Sequence, residues 1–176
     1  SIGVCAFAGC SNLKSVNIPE GITTIERGTF ERCDNLSLII IPNSVTSLEQ
    51  WAFYDCQSLK NVFIPKTVTS ISIKAFNNAT IYCEVVRCPD GWVHNSSESN
   101  WYENSTVHWG IKKVKITEEG AFIPTSEEKP YTAKLASGCN KRTIVIPDSV
   151  VIGGTVYAVT SIDSKSFSGC SSLKSI

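Results

Sequence analysis

The sequence carries no surplus of charge and no long apolar run. Its sixteen basic and sixteen acidic residues cancel over 176 residues. They are interspersed, and no Lys/Arg cluster or basic helical pattern stands out. A phosphate-tracking surface is therefore not expected, and nucleic acid is not an expected partner. No apolar stretch approaches the ~18 residues needed to cross a bilayer, so no membrane span is expected within this sequence. A phosphate-cradling glycine loop, a nucleophile elbow and a paired acid in a marked setting are all missing. No residue is assigned a catalytic role, no cofactor is implied, and an enzyme is not expected. A secretory leader is missing as well. The chain opens at Ser1 inside one repeat and stops at Ile176 inside another, so we expect a piece of a longer protein, with such signals outside it.

What is present is repetition. "SLKNVFIPKTVTSI", Ser58 to Ile71, restates "NLKSVNIPEGITTI" at Asn12 to Ile25 and "NLSLIIIPNSVTSL" at Asn35 to Leu48. "SLKSI", Ser172 to Ile176, begins a further copy. Phenylalanine occupies positions 7, 30, 53, 76 and 167, and cysteine follows three residues later at 10, 33, 56 and 170, with Ala79 in the fourth copy. Leu13, Leu36, Leu59 and Leu173 come next. The pairs Val16/Ile18, Ile39/Ile41 and Val62/Ile64 follow, each closed by a proline at 19, 42 or 65. The period is 23 residues, inside the range of leucine-rich repeats.

The spacing dictates the local structure. "LxxVxIP" is a short strand whose Val and Ile share one face, because strand side chains alternate. The proline has no N–H and a fixed φ, so it ends the strand. "VTxI" is a second extended segment, and the three-residue spacing of Phe-x-x-Cys-x-x-Leu predicts a 3₁₀ or single helical turn. No copy buries its apolar set alone, whereas stacked copies share a core.

Eight cysteines would ordinarily indicate a disulfide framework. Here Cys10, Cys33, Cys56 and Cys170 hold equivalent slots, so they point the same way in neighbouring repeats and are read as a ladder of buried free thiols. Cys5 shares its slot with Gly28, Trp51, Lys74 and Lys165 and is expected to be more exposed.

"IGVCAFAGCSNLKSVNIPEGITTI" resembles the repeat of the BspA-like leucine-rich-repeat family of bacterial and protist surface proteins. The resemblance rests on the AF pair, the cysteine three residues later, "LKSV", "IP" and "VTSI". It covers Ser1 to about Asn78 and about Thr143 to Ile176. The asparagine slot of the commoner leucine-rich consensus holds Gly21, Ser44 and Thr67, so its asparagine ladder is not expected. The resemblance implies display at the cell surface, outside the cell, and adhesion to host or matrix proteins or to other cells.

Two segments break the period. "TIYCEVVRCPDGWVHNSSESNWYENSTVHWG" holds three of the four tryptophans and both histidines, and resembles the segment that ends arrays in this family. We read it as a cap: Ile81 and Tyr82 form a last strand, while Trp92, Trp101 and Trp109 close the core. Alternatives are zinc at Cys83, Cys88, His94 and His108, a Cys83–Cys88 disulfide, or aromatic faces that bind a sugar or a choline-like cation. The zinc reading suffers from a thirteen-residue gap between His94 and His108, so no metal is assigned. From Gly110 a strand pair, "IKKVKITEEGAFIPTSEEKPYTAKLASG", and a "GG" hairpin at Gly153 and Gly154 open a new array. N-x-S/T sequons at Asn35, Asn78, Asn95 and Asn104 do not identify a host.

The expected fold is mainly β: a leucine-rich-repeat solenoid of short parallel strands, an aromatic-rich cap, and a β-hairpin unit starting a second array. The divisions are 1–79, 80–110 and 111–176. The expected function is a protein-binding module facing a host, matrix or cell-surface protein, with a passive stalk or carbohydrate binding by the cap as alternatives. Its site is the outward side of the strands, in two rows, Ser15–Leu38–Asn61 and Asn17–Ile40–Phe63. There Leu38, Ile40 and Phe63 form an apolar centre rimmed by Ser15, Asn17, Asn61, Lys14 and Lys60.

Overall fold

Each copy closes into one coil because its apolar residues serve three surfaces in turn. The computed structural model describes residues 2–92, 94–95, 99–113, 115–117, 121–126, 132–137, 145–152, 154–163, 166–167 and 174. It falls into two compact units, Ser1–Gly110 and Ile111–Ile176.

In the first unit the strand face consists of Ser15–Asn17, Leu38–Ile40, Asn61–Ile64, Thr80–Cys83 and Thr106–His108. The first two pair in parallel, and the last three form a second parallel sheet. The return face is the parallel sheet Thr24–Ile25, Ser47–Leu48, Ser70–Ile71, extended by bridges from Ile2 to Ile25 and from Ile71 to Trp92. The turn face carries the phenylalanines, and its backbone N–H groups reach forward one coil: Phe7 to the Thr29 carbonyl, Phe30 to Ala52, Phe53 to Ala75 and Phe76 to Trp101, each at 2.9 Å.

The core is the sum of these ladders. Ile25, Phe30, Cys33, Leu36, Val45 and Leu48 have no exposed surface. Phe7, Phe30, Phe53 and Phe76 stack with ring centroids 5.1–5.4 Å apart, one ring per coil. Such offset stacking adds about 0.5–1.5 kcal/mol per pair beyond burial.

The turn face departs from the spacing argument. No helix is assigned there; the run is a chain of tight turns, with Ala6 N–H donating to Gly3, Ala8 to Cys5, Cys10 to Phe7 and Leu13 to Cys10. The cause is a left-handed residue twice in every coil. Cys5, Gly28, Trp51 and Lys74 form one such column and Gly9, Arg32, Asp55 and Asn78 the other, with φ between 51° and 72°. Each except Asn78, which lies in a bend, sits third in a turn, where type II turns need positive φ, and stops the helical path there.

Two further expectations change. Cys10, in the first described coil, is exposed, not buried, with no carbonyl one coil back against its thiol among the described residues; Cys33 and Cys56 are buried, and Cys170 lies outside the described residues. The strand holding Ile81 and Tyr82 is not the last one, since Thr106–His108 pairs onto it. The cap is thus a fifth rung built from unlike sequence, with Trp92 following Ile71 on the return face, Tyr102 following Phe76 on the turn face and Val107 following Ile81 on the strand face.

The second unit is a five-stranded sheet in the order Lys115–Ile116, Ala121–Pro124, Thr132–Ser137, Thr155–Ile162, Ser149–Ile152. All pairings are antiparallel except that of Thr132–Ser137 with Thr155–Ile162. Phe122, Leu135, Val150, Ile152 and Tyr157 fill its core. The parallel pair restarts the return face: Asp163 N–H donates to Leu135 at 2.8 Å, as Glu49 does to Ile25 at 2.9 Å. The Ser166 hydroxyl donates to Asp163 at 2.7 Å, as Thr29 does to Glu26.

Candidate functional site

Alternation along the strand face sends Val16, Ile39, Val62, Ile81 and Val107 inward and their neighbours outward. Registers fix the outward rows: Ser15 opposite Leu38 and Asn17 opposite Ile40, then Asn61 opposite Thr80 and Phe63 opposite Tyr82. The predicted site residues therefore do share one face. They do not form one continuous sheet. The strands Leu38–Ile40 and Asn61–Ile64 lie side by side without a hydrogen-bonded ladder between them. At that seam the Lys60 N–H turns back to Ser58 at 3.0 Å, whereas Ser37 reaches Lys14 one coil away.

Exposure along the rows is uneven. Ser15 and Asn17 are exposed and Ile40 is 61% exposed, while Leu38 and Phe63 are half-buried. Asn61 is buried, so it is not part of an open polar rim. The rows also run further than the 23-residue period indicated, through Thr80 and Tyr82 to Thr106 and His108. Tyr82 is fully buried despite its outward register, and the exposed His108 ring stacks on it at 5.2 Å. The open part of the face is thus its first half, around Asn17, Leu38 and Ile40.

The cap is an aromatic cluster rather than a platform. Trp101 meets Phe76 edge-on at 6.3 Å and Trp92 at 4.9 Å, and Trp109 lies against both indoles. Trp92 and Trp101 are buried, which leaves their faces no room for a sugar ring. The Trp92 indole N–H donates to the Val68 carbonyl at 3.3 Å, tying the cap to the return face.

The thiols are placed as packing groups. Cys33 donates to the Phe7 carbonyl at 3.1 Å and Cys56 to Phe30 at 3.0 Å, each one coil back. Burial pushes the Cys33 thiol up to about 11 and that of Cys56 up to about 12. Cys83 and Cys88 are free thiols, both raised by burial. Cys83 belongs to the core, while His108 lies exposed on the outward row, so the proposed zinc ligands are not brought together. The His94 side chain lies outside the described residues. Among the described residues no three His, Cys, Asp or Glu side chains converge on a possible metal position.

Charges are peripheral. Arg32–Asp55, Lys66–Glu84 and Lys74–Glu103 approach to 3.7–3.8 Å at exposed or half-exposed positions, where such pairs contribute little. Arg27 lies over the half-buried Trp51 ring at 5.2 Å. No helix among the described residues is long and apolar enough to cross a membrane.

The repeat, its three ladders and its unlike last rung agree with sequence comparison. The profile of the BspA type leucine rich repeat region matches residues 1–106 and 133–176 in six copies. This chain belongs to the BspA-type leucine-rich-repeat family. The BspA-type match runs on through Thr80–Thr106, which the 23-residue period alone had set apart as non-repeat. Among solved structures, a leucine rich cell surface protein from Faecalibacterium prausnitzii A2-165 is similar at 23% identity and a TM-score of 0.42, over 81% of this chain and 31% of that one. The chain thus spans about a third of that protein's length. No curated protein matches the sequence.

Proposed function

We propose that this BspA-type chain is a non-enzymatic, adhesion-type binding module that meets a host, matrix or cell-surface protein through the open half of its strand face. The observation that carries this reading is Ile40, a large apolar side chain 61% exposed on the outward side of its strand, beside half-buried Leu38 and the exposed polar Asn17 and Ser15. An apolar centre with a polar rim is interface anatomy. Phe63 is half-buried and Asn61 buried on the same side, so both lie beyond the open half. Membership of a family of surface repeat proteins supports a place outside the cell. The regularity of the scaffold supports it too, since core slots recur in every coil while outward slots vary between Asn17, Ile40 and Phe63.

The test is binding of the folded chain to immobilised extracellular-matrix proteins and to whole cells, with Ile40→Asp as the variant. Loss of binding at unchanged melting temperature is the expected outcome. Undiminished binding by Ile40→Asp overturns the assignment of this face.

A further inference from the structure

We draw no further inference here: the strongest candidate, the outward valine pair Val151 and Val156 facing one another on the edge hairpin of the second unit's sheet, is an unpartnered apolar face, and nothing in the structure shows what covers it.

Discussion

The Cys56 thiol donates to the carbonyl oxygen of Phe30, one coil back, at 3.0 Å. The same bond joins Cys33 to Phe7 at 3.1 Å, so the cysteine slot both fills the core and satisfies a backbone acceptor. Cys10 lies in the first described coil and is exposed together with Cys5. Native labelling with an alkylating agent should modify Cys5 and Cys10 quickly, and Cys33 and Cys56 only as the chain unfolds. Rapid native modification of Cys56 would contradict the stacked coil.

These thiols also set a pH dependence. Burial holds Cys56 at about 12 in the folded chain against 9.0 for a free thiol. Between those values the unfolded chain has lost the proton that the folded chain keeps, so stability falls as pH rises. The slope for one such group is about 1.4 kcal/mol per pH unit. Below pH 9 it should vanish. Urea unfolding from pH 7 to 10.5 should show this decline, and Cys56→Ala should lessen it by one group's share, since the buried Cys33 and Cys83 thiols keep theirs; an undiminished slope in that variant would take Cys56 out of the effect.

Phe30 and Phe53 each stack against a ring on both sides, whereas Phe7 has one on a single side. Phe30→Ala or Phe53→Ala should cost about 3–5 kcal/mol, as for a large aromatic lost from a packed core. Phe7→Ala should cost clearly less, because Phe7 is already half-exposed. Denaturant unfolding measures both. Losses below about 1 kcal/mol at Phe30 and Phe53 would remove the phenylalanine column from the core.

Gly91 decides how the cap seats. A Cβ built there would lie directly against the Thr69 carbonyl oxygen, a backbone atom that cannot step aside. Gly91→Ala should therefore dislodge the neighbouring Trp92 from Ile71 and shift tryptophan emission to the red. Gly3→Ala, with nothing within 4 Å of its new methyl, serves as control and should change neither emission nor stability. An unshifted spectrum in Gly91→Ala would mean that Trp92 is held by other contacts.

The left-handed columns make opposite demands at two neighbouring sites. Gly28→Ala places a methyl 2.9 Å from the Cys5 sulfur at φ 62°, and should destabilise by about 1–2 kcal/mol. Arg32→Gly removes a side chain from φ 56° and loses only an exposed ion pair, so stability should hold or rise. Thermal unfolding compares the two. A clear loss in Arg32→Gly would show that the Arg32 side chain, not the backbone, holds that corner.

Most of the scaffold was legible in the sequence because its period is strict: Phe30, Cys33, Leu36 and Ile39 hold the slots that spacing assigned. The failures share a cause. Where the spacing shortens from 23 to 19 residues between Val62 and Ile81, the eye loses the coil although the hydrogen bonds keep it, and Tyr82 and His108 were missed as members of the outward row. Three-residue spacing alone cannot separate a helical turn from successive tight turns. The αL choice at residues such as Trp51 and Lys74 carries no composition signal, unlike Gly28 in the same column. Burial of Asn61 was equally invisible, since alternation fixes the side a residue faces and not what lies over that side.

The register of the strand face is open to a direct test by neighbouring substitutions. Ile39 and Ile40 are adjacent and chemically identical, yet Ile39 is 2% exposed and Ile40 61%. Ile39→Asp would bury a charge with no partner, and should cost more than about 4 kcal/mol or prevent folding. Ile40→Asp places the same group in water and should cost no more than about 1 kcal/mol, the span of strand propensities. A one-residue slip would exchange these outcomes, because it turns every side chain of the strand to the other face. Circular dichroism with urea titration reads the difference. If Ile40→Asp proved the damaging change, the apolar centre would belong to the core and the proposed binding face would have to be abandoned.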